Sequence, residues 1–179
     1  MILTGAEIAK QAARGRIRIE PFHRERCTTN SYDIALGRRL IIYREQVLDP
    51  RREAAYDEVE MDDAGFDLAA GDFVLGESAE CFGSDHYVPM IHAKSGIARL
   101  GLFVHVTADL IDLGFFGQST LQLHATLPVH IFPGMLIAQA TFWVPHGEIT
   151  LYQGKYQNSH GPQISRSYQD QPTAEFSHA

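Results

Sequence analysis

The chain predicts a mostly β fold, a sandwich or a barrel, behind a single short N-terminal helix. Two observations carry this. Short β-rich runs recur along the chain, each bounded by Gly, Pro or Asp turn signals, and many short strands at such spacing pack as two sheets or curl into a barrel. Helical periodicity, by contrast, is confined to the first fifteen residues.

In chain order, Thr4-Gly5-Ala6-Glu7 reads as a capping box. The Thr hydroxyl accepts from the backbone N–H three residues on, and the Glu reaches back. Ile8, Ala9, Ala12 and Ala13 then recur at helical spacing, and Gly15 is the stop. Strands are expected at Arg39 to Tyr43, Phe73 to Leu75, Leu102 to Val106, Ser119 to Leu123 and Thr141 to Val144. Turn signals stand at Gly37, Ala70-Gly71-Asp72, Gly114, Pro133-Gly134 and Pro145-His146-Gly147. Residues 46–65 are acidic and Pro-broken and read as a long loop or an edge insertion. After Tyr152 the chain is polar and aperiodic, either a flexible tail or a lid ordered by a ligand. There is no repeat and no second domain. The expected division is one domain over residues 1–168, including the segment 152–168, and a flexible tail over 169–179.

With 179 residues, 45% hydrophobic and 21% charged, the chain is ordinary globular material, long enough for a self-sufficient core. Its 22 Asp+Glu against 15 Lys+Arg give a net charge of -7, which argues against general binding to nucleic acid or anionic membranes. No apolar run reaches the roughly 20 residues of a membrane helix, and no signal-peptide pattern opens the chain. Cys27 and Cys81 supply neither a disulfide framework nor an all-cysteine zinc site. They read as buried or half-buried thiols, and reduced thiols suit a cytoplasmic location.

The cations are unevenly spread. Eleven of the 15 Lys and Arg precede residue 91, leaving Lys94, Arg99, Lys155 and Arg166. Lys94-Ser95-Gly96-Ile97-Ala98-Arg99 sets two cations and a hydroxyl around a glycine that lets backbone N–H groups approach an anion. Together with Lys155 and Arg166 on the tail they could close around a polyphosphate; the residues read equally as sparse charge in a β-rich half.

Several segments carry a resemblance, in order, over most of residues 1–168: Ser31-Tyr32-Asp33-Ile34-Ala35-Leu36-Gly37, Ala70-Gly71-Asp72-Phe73-Val74-Leu75, Lys94 through Leu102, Val104-His105-Val106-Thr107-Ala108, Ile111 through Gly117, and Pro133 through Gln139. The tail pieces Gly154-Lys155-Tyr156-Gln157, Gly161-Pro162 and Ser165-Arg166-Ser167-Tyr168 extend it. The chain resembles the dCTP deaminases of the trimeric dUTPase superfamily. That resemblance implies a distorted β-barrel or jelly-roll-like subunit of the dUTPase type, a homotrimer with active sites between subunits, and a deoxypyrimidine triphosphate ligand (dCTP, dUTP or dTTP). It also implies Mg²⁺ held through the phosphates, with no metal site on the protein itself and no zinc. The zinc point has independent support: zinc deaminases need a His-x-Glu and a Pro-Cys-x-x-Cys, and His146-Gly147-Glu148 has no Cys pair to accompany it.

Carried over residue by residue, the resemblance implies that Ser95, Gly96 and Arg99 contact phosphates and support the catalytic water, with Lys94, Ile97 and Ala98 in the same loop. Asp112 takes the position that binds the deoxyribose 3′-hydroxyl. Phe115 packs under the sugar. Thr107, Ala108, Thr120, Leu121 and Gln139 fall near the base. Tyr152 and Lys155 serve the phosphates from the tail, and Ser159 stands where the family carries a tail Gln. Read from residue pattern alone, Asp112 ahead of Gly114 is equally a turn-former. His105 reads as a satisfied core histidine, His124 and His130 lack metal partners at useful spacing, and Tyr152, Tyr156 and Tyr168 read as tail packing.

One departure bears on chemistry. The family's Thr-Leu-Glu, whose Glu is the general base, reads Thr120-Leu121-Gln122 here, and a family Asn three residues on is Ala125. Hydrolytic deamination needs a group that takes a proton from water and delivers it to ring and leaving amine; a neutral amide does neither. The residues therefore leave several readings open. One is a dCTP deaminase (dCTP and water to dUTP and ammonia) with Gln122 at the base position alongside Ser95, Arg99 and Asp112. A second is a dUTP diphosphatase working through Asp112. A third is a non-catalytic nucleotide-binding regulator. A substitute base at Asp109 is a fourth possibility.

Overall fold

The computed structural model describes residues 1–170. Helix α1 (Gly5–Ala13) is capped as expected: Thr4 accepts from the Glu7 N–H at 3.3 Å. The box is only half formed, because the Glu7 carboxylate turns to Gln11 and Lys10 instead. Gly15 ends the helix with φ 70°.

The rest is antiparallel β structure. Strands β1 (Arg18–Glu20), β2 (Tyr32–Ala35), β3 (Arg39–Tyr43), β4 (Tyr56–Glu60), β5 (Phe66–Leu68), β6 (Phe73–Gly83) and β7 (Val88–Ala93) precede a one-turn helix α2 (Ser95–Ala98). β8 (Leu102–Phe103), β9 (Phe116–Ala125), β10 (Val129–Ile131) and β11 (Leu136–Trp143) follow, and a 3₁₀ turn spans Ser167–Gln169. The main sheet runs β4-β3-β6-β9-β8, with β1 also on β6; a second runs β2-β11-β7, and β5 pairs with β10. The sheets share one core, including Ile34, Leu40, Phe82, Leu121, Leu123, Ile131 and Phe142, and stay open rather than closing by hydrogen bonds.

The expected runs fall within strands, with informative differences. Phe73 to Leu75 opens β6 and Ser119 to Leu123 lies inside β9, because each pairs with the other over a long register, Phe73 with His124 through Gly83 with Phe116. The Leu102 to Val106 run is a strand only at Leu102–Phe103, where it pairs with Ala125 and His124; beyond that the chain leaves the sheet. Residues 46–65 hold β4, which the charges hid. It lies at the sheet edge, where outward charges are tolerated and block further pairing. Pro89 hid β7, also an edge strand. Of the expected tail over 169–179, Gln169 closes the 3₁₀ turn and Asp170 pairs with Lys155; residues 171–179 lie outside the described residues. Both cysteines are free and half-buried, and burial pushes both thiols up from their ordinary value.

The sequence reading passed over Glu80, which is 0% exposed on β6. Its carboxylate pairs with Arg26 and accepts from the Ala35 N–H at 3.1 Å. Glu80→Ala leaves a half-buried guanidinium and a buried N–H without a partner, and is expected to cost about 3 kcal/mol in urea unfolding. Burial holds the Glu80 carboxyl above its ordinary value, against the N–H and Arg26. Its stability contribution is therefore complete below the ordinary Glu range and falls as pH rises through the raised value. Glu80→Gln should flatten that limb.

Candidate active site

Strand β9 builds one wall of a cavity of about 540 Å³. Burial alternates along it: Phe116, Gln118, Thr120, Gln122 and His124 are half-buried on one face, Leu121, Leu123 and Ala125 pack into the core on the other, and the buried Gly117 and Ser119 lie against Ser159 and the cavity edge respectively. Gln118, Thr120 and Gln122 line the cavity beside Leu75 of β6, which pairs with Gln122. The segment after β8 brings Ala108, Leu110, Ile111, Asp112 and Phe115. Asp112 is also the turn-former its sequence suggests, since its carbonyl accepts from the Phe115 N–H at 3.2 Å.

The C-terminal segment covers this wall as a folded strap, held by its own chain. The Tyr152 N–H donates to the Leu113 carbonyl (2.7 Å), the Asn158 N–H to Phe116 (2.9 Å), and the Gln118 N–H to the Ser159 carbonyl (2.9 Å). Gln157 bridges the Phe116 N–H and the Gly114 carbonyl. Further along, the Gly161 N–H donates to Gln118 Oε1 and the Gln163 N–H to Thr120 Oγ1. Arg166 locks the far end, bonding the Lys155 carbonyl and Gln163 and lying 5.6 Å from the Tyr156 ring centre. The Phe115 and Tyr152 rings meet edge to face at 6.2 Å. Close approach requires glycine at 117: a Cβ there falls 2.7 Å from the Ser159 nitrogen.

Gln122 is fixed by one contact. Its Oε1 accepts from the Val106 N–H at 3.1 Å. Among the described residues lining the cavity, Asp112 is the one carboxylate, so Asp109 is not placed there to substitute as a base.

The structure thus brings together Asp112, Phe115, Ala108, Thr120, Gln122, Tyr152 and Ser159. It does not bring the others there within one chain. The Leu121 side chain is 0% exposed in the core, because position 121 has the opposite parity on β9. Gln139, on β11, bonds Ser31 Oγ and the Ala93 carbonyl. Lys94 is turned to Asp33, and Lys155 to Asp170. Ser95, Gly96, Ala98 and Arg99 are exposed outside the cavity, on a turn that Ile97 anchors to the core. Thr107 is exposed beside Ala108 and is not part of the lining. The expectation of a satisfied His105 is corrected: its Nδ1 is buried without a hydrogen-bond partner among the described residues. Its ring sits edge-on, 6.4 Å from His92, whose pKa is lowered first by burial and then by His105.

Sequence reasoning missed Gln118, Tyr43, Leu48 and Gln163 through Ser165 in the lining. Gln118 was readable from its parity with Thr120 and Gln122. Tyr43 and Leu48 reach the site only through β3 pairing and the fold of the following loop.

The open, mostly antiparallel β scaffold is of the dUTPase-like fold, which a solved 2'-deoxycytidine 5'-triphosphate deaminase from Agrobacterium tumefaciens shares. That structure superposes with a TM-score of 0.65 at 21% identity, over 81% of this chain and 48% of its own, so the chain spans about half its length. The family model described as dCTP deaminase-like matches residues 2–144, and the chain belongs to that family. Proteins named "dCTP deaminase, dUMP-forming" from Clostridium beijerinckii and Leptospira biflexa are 38% and 37% identical over 171 residues, each covering 95% of this chain and 98% of the relative.

Proposed function

We propose that this chain binds a deoxypyrimidine triphosphate in the β9 cavity and hydrolytically deaminates dCTP, with Gln122 standing at the proton-transfer position. The observation that carries this is the cavity itself, whose lining combines Gln122 and Thr120 from one strand face, Asp112 and Phe115 from the segment before β9, and Tyr152, Tyr156 and Ser159 of the strap. Water adds at C4 of cytosine, the C–N bond to the amine breaks, and ammonia leaves. An amide orients water without taking its proton, so the step runs slowly. The relatives' names describe dUMP as product, which from dCTP requires loss of pyrophosphate as well as ammonia; Asp112 is the carboxylate in reach for activating that second water.

A single cavity carboxylate is no cage for Mg²⁺, which keeps several waters and is commonly bound through substrate phosphates. The residues thus suit a metal that arrives with the triphosphate, where it neutralises phosphate charge. The exposed Ser95–Arg99 turn stands outside the β9 cavity of its own chain, and Phe103, Val106 and Leu110 are half exposed or more. Both features support a homotrimer in which a neighbouring copy supplies the phosphate loop. Among the described residues no helix is long and apolar enough to cross a membrane, and we place the reaction in the cytoplasm.

The test is incubation with dCTP and Mg²⁺ while ammonia, uracil nucleotide and pyrophosphate are followed, with mass by light scattering on the same sample. Saturable dCTP binding, slow ammonia release and three times the chain mass are expected. Absence of dCTP binding overturns the reading.

A further inference from the structure

We propose that Gln122 biases this cavity toward 4-oxopyrimidine nucleotides, with dUTP held more tightly than dCTP. The inference rests on the nucleotide reading above, in which position 122 faces the substituent on C4. The Val106 N–H is a donor, so only the oxygen of the Gln122 amide can face it, as observed at 3.1 Å. The opposite flip would set an NH₂ group against an N–H and leave both donors without an acceptor. With Oε1 committed, Nε2 is the atom left to present to the cavity, and it has no hydrogen-bond partner among the described residues.

A glutamate in this place, held by the same N–H, would turn an acceptor to the ligand. Gln122 turns a donor. Cytosine shows a donor at C4, its amine; uracil and thymine show an acceptor, the carbonyl O4. The amide therefore matches the deaminated base and opposes the substrate base. Phe73, Leu75, Ile91, Leu110 and Ile111 make the surrounding wall apolar, so it offers a mismatched donor no alternative protein acceptor once the base is seated. The cavity thus behaves as a holder of the reaction's product-side nucleotide.

Rapid-mixing titration with α,β-imido-dCTP and α,β-imido-dUTP, with Mg²⁺, tests this; the imido link blocks pyrophosphate release but not loss of the C4 amine, so binding is read before ammonia appears. The dUTP analogue should bind about tenfold or more tighter to the native chain, the size of a hydrogen bond gained against one opposed. Q122E should reverse the order, and Q122M, which neither donates nor accepts strongly, should bring the two within a few-fold. Thermal melts establish that each variant is folded. Equal binding, tighter binding of the dCTP analogue, or an order unchanged in Q122E overturns the inference while leaving the nucleotide site standing. If neither analogue binds the native chain, the nucleotide reading falls and this inference with it.

Discussion

Gln122→Glu is expected to raise ammonia release from dCTP by about 10²- to 10⁴-fold, the usual worth of a positioned general base. The exchange is nearly isosteric, and β9 already aims the side chain. Its backbone is set by pairing with Leu75 of β6, and Val106 supplies an N–H at 3.1 Å that one carboxylate oxygen can keep. The second oxygen then takes the proton from water and returns it to ring and amine. The rate should also acquire an acidic limb, falling as pH drops through the new carboxyl's pKa, because only the ionised form accepts a proton. Ammonia measured against pH for both proteins checks this. An unchanged rate would move the deficiency elsewhere, with Ala125, where the resemblance expects an Asn, the next position to restore.

Gly117→Val is expected to lift the strap and weaken dCTP binding about 10- to 30-fold, with the core intact. The first carbon of any side chain at 117 falls 2.7 Å from the Ser159 nitrogen and 2.9 Å from its oxygen. Ser159 must then withdraw, breaking the Gln118 N–H bond to its carbonyl and the neighbouring Asn158 N–H bond to Phe116. Two such bonds at about 1 kcal/mol each correspond to roughly a 30-fold shift toward the open strap. Hydrogen exchange should show residues 152–166 losing protection while β6 and β11 keep theirs. Unchanged affinity together with lost protection would mean that the strap does not contribute to binding.

Much of the site was legible because motif spacing and strand parity are local. The family segments located Asp112, Phe115, Thr120 and Gln122, and all of them line the cavity. The residues that stand outside this chain's cavity do so for a common reason. Leu121 belongs to the same motif, but strand parity sends its side chain to the core. Gln139 and Lys94 belong to motifs too, but Ser31 and Asp33 on β2 engage them across the second sheet. Charges concealed β4 and Pro89 concealed β7, since edge strands need not alternate and can carry residues that central strands reject.

By itself the chain determined the capped helix, the β character, the family and the missing carboxylate, all properties of residues near one another or at fixed motif spacing. Only the tertiary structure decided which face of β9 the strap covers, that residues 152–170 dock on their own chain, and that the Ser95–Arg99 turn stands apart from the cavity. It alone decided which way the Gln122 amide points, because the partner that orients it, the Val106 N–H, lies sixteen residues away and is brought close by the chain's path between β8 and β9. Local pattern specifies which chemical groups are present. Long-range packing specifies which of their atoms meet.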